Sequence, residues 1–460
     1  MASFLSLQTA LSGIRAAQVG LDTASHNIAN AGTVGYTRQR VLLAQRSPFT
    51  SVVGQIGTGV DVTGIERTRD TFLDGRARSS AAEFGRTGTK AELLSRAEAI
   101  LGEPDQGLSA TLGTLWDAFE DLALDPSSAA GRRQVLSALG GLSGRARSIG
   151  SGWASLADDA GVDLRATTDE VNASLARLGE LNRLIPRAQP STAQSSGGQF
   201  GGQPNQLLDE RDRLLDELSA SLGASSRLAA DGSVTVTLAG APADLVAGQT
   251  INTITVTADH RLSVAGQEVS VGGRVGGLHG FLLTDLPAQR AQLDAFLGEL
   301  VSTLNTQHAA GTDPAGAAGG PLLAFTPGLA ITDLRVAITD PDLLAAGDGS
   351  GGDHNDRNAQ ALAALRGTSP DGQPSIGSRL SQFVIGLAGE VRTAVGQADS
   401  HRLLNVAATS ARSSAHGVSL DEEMVALVQW QRSLEAAARV MTTVDEALQV
   451  LINRTGIVGR

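Results

Sequence analysis

The densest grouping of side chains suited to chemistry is Asp353-His354-Asn355-Asp356, whose carboxylates and imidazole are of the types that ligate divalent metals. A metal site needs ligands from a second segment, and the seven histidines are scattered with no other cluster. Asn and Asp just ahead of Asn358 read instead as a turn that caps a helix. Immediately upstream, Gly347-Asp348-Gly349-Ser350-Gly351-Gly352 has the spacing of a dinucleotide-binding loop. It follows Leu344-Ala345-Ala346, no convincing strand, and no βαβ unit surrounds it, so it reads as a flexible loop. Adjacent acids such as Glu422 and Glu423 are solvated charges at a helix start rather than a glycosidase pair. No nucleophile elbow and no Walker loop occur, and the absence of cysteine excludes disulfides, thiol catalysis and thiolate metal sites. His26 reads as a polar helix-end residue, and Tyr36, the only tyrosine, packs under the turn that follows it. The sequence therefore assigns no catalytic residue, no cofactor and no metal; an enzyme is not expected.

The elements around these residues carry more information. A chain of 460 residues exceeds one core and implies two to four domains. With 41% hydrophobic residues it folds, and with only 3% aromatics its cores must be Leu, Val, Ile and Ala, which favours slender helix-on-helix packing. A net charge of −12 argues against nucleic acid and against an anionic membrane surface as partners. No apolar run reaches the length a membrane helix needs. The opening MASFLSLQTALSGIR lacks a basic stretch, a continuous apolar stretch and a cleavage site, so no cleaved signal is expected.

Both ends show steps of four and three. Leu7, Leu11, Ile14, Gln18, Leu21, Ser25 and Ile28 form a heptad seam flanked by Ala10, Ala17 and Ala24, in a helix expected to end near Asn30. Leu420, Met424, Leu427, Gln431, Leu434, Ala438, Met441, Asp445 and Leu448 mirror it, behind a capping box of Ser419 and Glu422. Such seams are too short and polar to be stable alone, so they are expected to order on assembly. Between them, residues 70–225 are mostly helical in pattern, with a helix start at Asp125-Pro126 and a Gly, Ser, Gln and Pro-rich loop from Pro186 to Pro204. In the Asn205–Leu218 helix, Asp209–Arg213 and Arg213–Glu217 are spaced as intrahelical ion pairs. The period then changes to two: Val234, Val236 and Leu238 alternate with Ser and Thr, as do Ile254 and Val256. This predicts a small antiparallel β module, outward-pointing and tolerant of change. Helix returns from about Pro287 to His308 and again from about Asn358. The fold class is thus mainly α with an inserted β domain, the two terminal heptad helices pairing as a coiled coil. The expected domains are 1–45 with 418–460, a discontinuous helical domain of 46–227 with 281–417, and a β domain of 228–280.

Two segments carry a family resemblance. Ala10-Leu11-Ser12-Gly13-Ile14-Arg15-Ala16-Ala17-Gln18, followed by Ser25-His26-Asn27-Ile28-Ala29-Asn30 and Gly35-Tyr36, resembles the N-terminal signature of bacterial flagellar rod, hook and hook-associated axial proteins. Gly417-Val418-Ser419-Leu420-Asp421-Glu422-Glu423-Met424 with Gln431 resembles their C-terminal one; Val34 and Trp430 depart from the common Pro and Tyr. The middle, with Gly57-Thr58-Gly59-Val60, Asp125-Pro126, the Asn205–Asp212 segment and Asp353–Asn358, is similar to the hook-associated members. The resemblance implies a structural protein exported unfolded through the flagellar type III channel without a cleaved signal. It implies self-assembly into a short ring at the junction between hook and filament, outside the cell. Implied partners are further copies, the hook protein, a second junction protein and an export chaperone, with no nucleic acid and no membrane. The expected assembly interface is Leu7, Leu11, Ile14, Leu21, Ile28, Leu420, Met424, Leu427, Leu434, Met441 and Leu448. Alternative readings are a hook or distal-rod protein, or a secreted helical effector or adhesin.

Overall fold

The computed structural model describes residues 2–33, 35–51, 54–188, 204–350, 355–368 and 374–455. Helix α1 (Ala2–Ala29) leads into a hairpin of β1 (Gln39–Gln45) and β4 (Val60–Arg67), extended at its tip by the paired strands β2 (Phe49–Ser51) and β3 (Gly54–Ile56). Helices α2 (Thr71–Leu101), α3 (Leu108–Leu124), α4 (Ala129–Ala188) and α5 (Asn205–Leu222) follow. Asp70 starts α2 because its carboxylate accepts the free N–H groups of Phe72 and Leu73 at 2.9 and 3.2 Å.

The spine is α4, whose 60 residues span about 90 Å at 1.5 Å each. Val135, Leu139, Leu142, Ala146, Ile149, Trp153, Leu156, Ala160 and Leu164 recur at three and four and are buried, as are Val171, Leu175, Leu178 and Ile185 beyond them. The Trp153 indole N–H donates to the Ala97 carbonyl of α2 at 2.9 Å, so its one polar atom is satisfied inside the core. The Asp125-Pro126 pair does not begin α4 as the sequence suggests. The buried Arg132 guanidinium claims the Pro126 carbonyl, at 3.1 and 2.8 Å, and so holds that dipeptide as the turn between α3 and α4.

The β module holds a four-stranded sheet ordered β5 (Ser225–Leu228), β6 (Val234–Thr237), β7 (Val246–Ala247), β8 (Thr250–Ile251). A three-stranded sheet of β9 (Ile254–Val256), β10 (Leu262–Val264) and β11 (Gln267–Glu268) adjoins it. Val234, Val236, Leu238, Ile254, Leu262 and Val264 are buried while the alternate Thr and Ser side chains lie nearer solvent, the pattern of half-buried antiparallel sheets. The module does not stand away from the helices, however. Asn182 of α4 bonds both the N–H and the C=O of Val234 at 2.8 Å, and Asn172 does the same to Ile254 at 2.9 and 2.8 Å. A Cβ at Gly179 would lie 2.7 Å from Ile251, so the Ile251 side chain packs into the space that glycine leaves on α4. Its valines and leucines belong to one continuous core with α2–α5. Helix also resumes earlier than the sequence pattern implies: α6 (Gly273–Gly280) buries Val275 and Leu278 and runs through a π turn into α7 (Leu286–Ala309).

After α7 come the short pair β12 (Leu323–Ala324) and β13 (Arg335–Val336) around α8 (Ala330–Asp333), then α9 (Arg357–Ala364). Helix α10 (Ile376–His416) buries Ile376, Leu380, Phe383, Leu387 and Val391 in the core, and α11 (Leu420–Thr455) ends the described chain. Asp353 and His354 lie outside the described residues; Asn355 accepts the Arg357 N–H at 3.2 Å ahead of α9. Among the described residues, the apolar core contains nothing from α1 or α11.

The shared core makes the β module part of the frame. Asn182→Ala is expected to cost about 1–3 kcal/mol by stranding the polar groups of Val234, read from urea unfolding. Excision of residues 229–271 with a short linker is expected to reduce the helical circular dichroism. A helical protein with an unchanged unfolding midpoint would show that the module merely hangs from α4.

Candidate assembly interface

Helices α1 and α11 run antiparallel: Asn27 meets Glu423, Gly20 meets Trp430 and Gly13 meets Ala437, each pair one heptad from the next. The face that α1 turns to α11 is made of small residues. Ala10, Ala17 and Ala24 are buried, and they alternate at three and four with Gly13, Gly20 and Asn27. A Cβ on Gly20 would fall 2.3–2.8 Å from the Trp430 ring, so the indole fills the notch left by the missing side chain. On α11 the inward series is Glu423, Leu427, Trp430, Leu434, Ala437, Met441, Val444 and Leu448, all buried or half-buried.

This phase differs from the one read off the sequence. Leu427, Leu434, Met441 and Leu448 lie on the inner face, whereas Leu420 and Met424 are 52% and 61% exposed and point away. Leu7, Ile14, Leu21 and Ile28 flank the small-residue face half-buried, and Leu11 is 39% exposed. A second, short outward stripe is left exposed at the start of α11 by Leu420, Met424, Val425 and Val428, while Val440 and Val450 are exposed singly further along.

A polar knot closes the pair where it meets the hairpin. The Asn27 amide donates to the Gln39 carbonyl at 2.8 Å and to Glu423 at 3.0 Å, while its oxygen accepts from the Gln39 N–H at 3.0 Å and from the Tyr36 hydroxyl at 2.6 Å. His26 Nδ1 lies 2.9 Å from the same hydroxyl. Arg38 donates to Glu423 at 2.7 Å and to Glu422 at 2.6 Å. The Glu423 side chain is only 4% exposed, so Arg38 and Asn27 together compensate a buried charge. Burial, then Asp209 and Glu423, push the Tyr36 phenol far above its ordinary range, which keeps it a neutral donor. On its other side α1 meets the hairpin, where the buried Ser12 hydroxyl accepts the Val60 N–H at 3.2 Å.

With this geometry in view, comparison with known proteins is decisive. The family model for the flagellar hook-associated protein FlgK helical domain matches residues 94–323. The chain belongs to the flagellar hook-associated protein family. Models for the flagella basal body rod protein and for the C-terminal part of the flagellar basal body rod FlgEFG protein match residues 7–37 and 410–454. Those two stretches hold α1 with its following turn and the α10–α11 junction with α11, the two sides of the pair. The chain is 28% identical to flagellar hook-associated protein 1 of Bacillus subtilis, over 100% of this chain and 99% of that one. It is 24% identical to the protein of the same name in Escherichia coli, over 97% and 99%. The flagellar hook junction protein FlgK of Burkholderia pseudomallei has the same fold, with a TM-score of 0.63 at 15% identity over 76% of this chain and 100% of that one. The family is a structural one of the bacterial flagellum, and the chain is a flagellar hook-associated component.

His416 attaches the terminal pair to the frame. It ends α10 three residues before the Ser419 cap, whose hydroxyl accepts the Glu422 N–H at 3.5 Å. Its Nε2 accepts the Asp70 N–H at 2.6 Å, its carbonyl accepts the Arg38 N–H at 3.1 Å, and its Nδ1 lies 3.7 Å from Asp74. Burial lowers the His416 pKa below its ordinary value of about 6.5; Asp74 opposes this, and Arg69 and Arg412 add to it. Sequence reasoning missed Gly20, Trp430, Asn27, Glu423 and Arg38 as interface residues. The seven-residue interval from Gly13 to Gly20 was the available signal.

Gly20→Leu is expected to eject Trp430 and red-shift its emission, since Trp116 and Trp153 are buried in the core. The main unfolding transition should stay where it is. His416 binds its proton more weakly when folded, so its contribution is intact above about pH 6.5 and falls away as the pH drops through the lowered folded value. Thermal stability is therefore expected to decline from pH 7.5 to 5.5, and less steeply in His416→Gln. Burial lowers His308 and His279 as well, and they account for the remaining slope.

Proposed function

We propose that this chain assembles with copies of itself into the ring that joins hook to filament, using the outward stripe of α11 as the contact between subunits. The observation that carries this is the division of α11 into two apolar faces. One meets the small-residue face of α1, while Met424, Val425 and Val428 are 61%, 58% and 43% exposed on the other. A helix apolar on both sides is built to be enclosed, and the α1–α11 pair adds nothing to the apolar core, so it is free to serve assembly. The hook protein below and a second junction protein above are the neighbours this position implies. An export chaperone covering the stripe before assembly fits the same chemistry. Export through the flagellar channel without a cleaved signal fits a chain whose interface forms only after its two ends have met. The role is mechanical rather than catalytic. A hook or distal-rod identity is disfavoured because the hook-associated helical domain spans residues 94–323.

The two faces are separable by mutation. Full burial of a leucine is worth about 1.5–3 kcal/mol; Leu427 and Leu434 are half-buried and realise part of it, and Leu427→Asp with Leu434→Asp is expected to part α11 from α1. Met424→Asp with Val428→Asp is expected to leave that pair intact. Both doubles should be exported with a folded centre, and both should give hooks without filaments, with flagellin lost to the medium. Normal motility in the Met424/Val428 double would exclude the outward stripe as an assembly surface. In the dilute monomer, hydrogen exchange across α1 and α11 is expected to be fast, and assembly should slow it.

A further inference from the structure

A cavity of about 840 Å³ opens between α2, α5 and the β module, away from the α1–α11 seam. Four guanidiniums line it: Arg67, Arg69, Arg78 and Arg211. The buried carboxylates among its walls are Asp74 and Asp212, and they are oversubscribed. Asp212 receives Arg67 at 2.8 Å, Arg211 at 2.9 Å and Arg69 as well, Arg69 also takes Asp74, and Arg78 shares Asp216, at 2.7 Å, with Arg412. Glu66 and Glu83 line the cavity too, but each pairs with an arginine outside it, Arg40 at 3.2 Å and Arg86 at 2.7 Å. Arg67, with a side chain only 7% exposed, meets both its carboxylates through one terminal nitrogen, and its Nε has no acceptor among the described residues. An orphaned donor on a buried cation costs free energy unless something fills the need. Burial above all, and then Arg67, Arg69 and Arg78, hold Arg211 down to about 9, with Asp74 opposing them.

We propose that this cleft binds an oxyanion, either a carboxylate or a tetrahedral anion of the sulfate kind, met first by Arg69 and Arg78, the more exposed of the four. Planar guanidiniums in pairs match such oxygens bidentately, and a partly enclosed site strengthens the bond. A carboxylate can arrive on an acidic segment of a second copy of this chain, whose net charge is −12, or as a free anion. The inference does not rest on the ring reading, because a free anion would suffice.

Sodium sulfate, titrated against sodium chloride at constant ionic strength, tests this on the intact chain. Wild-type protein is expected to show a saturable rise in melting temperature, and Arg78→Gln only the gentle, unsaturating rise that sulfate gives any protein through exclusion from its surface. Equal, unsaturating rises in both would overturn the proposal. Should Arg78→Gln fail to fold, calorimetric titration of sulfate into wild-type protein decides instead, and the absence of saturable heat would be fatal. Sedimentation then separates the sources. Self-association that sulfate reverses identifies a neighbour's carboxylate as the ligand; self-association indifferent to bound sulfate identifies a free anion.

Discussion

Asp212 is the interaction on which the architecture turns. A single carboxylate on α5 takes Arg67 from the hairpin, Arg69 from the start of α2 and its own neighbour Arg211, joining segments 145 residues apart in the chain. Asp209 and Asp216, one turn to either side, add Arg67 at 2.7 Å and then Arg78 and Arg412, both at 2.7 Å. Through Arg412 the end of α10 is drawn to the same place as the end of β4. The two chain ends are thereby presented side by side, and α1 lies between the hairpin and α11. Breaking such a buried pair on one side leaves uncompensated charge, at about 3–5 kcal/mol. The mesh is therefore costly to disturb from within, and the terminal pair inherits its placement.

Periodicity is legible from sequence, but phase is not. The four-three recurrence in α11 holds for the outward series through Leu420 and Met424 as well as for the inward one through Glu423 and Trp430. The two series share Leu427, Leu434, Met441 and Leu448. Choosing between them requires the partner, and α1 offers its closest approach along Ala10, Gly13, Ala17, Gly20 and Ala24, where side chains are smallest. Counting large apolar residues points to the wrong edge of α1, because close packing rewards the absence of a side chain as much as its presence. The helix content, the β module and the pairing of the ends followed from pattern alone. Asp209 did not: its expected intrahelical partner Arg213 turns to Glu217, while Arg67, distant in sequence, takes its place.

The β module shows the complementary error. Its continuity in sequence suggested an appendage, yet Asn172 and Asn182 present α4 to the sheet as if the helix were another strand, each amide supplying one donor and one acceptor. Burying a helix against sheet edges would otherwise strand those backbone groups. Two asparagines in a 60-residue helix carry no sequence signal of this duty, since exposed asparagine is common and only the fold makes these two inward.

Placement and adhesion are thus assigned to different chemistries. The frame is held by buried charge and a Leu-, Val- and Ala-rich core, and it loses neither when the terminal pair opens. The pair is held by a notch, a half-buried seam and one knot around Glu423. Part of the apolar area of α11 lies on its exposed side and adds nothing to the pair. The frame rests on its own contacts, while the phase of the terminal pair is set by Gly20 and Trp430 and the pair is joined to the frame at His416. That attachment is itself protonatable and buried, and it accepts the Asp70 N–H only as a neutral imidazole, so the joint between pair and frame rests on the electrostatics of the frame rather than on the pair itself.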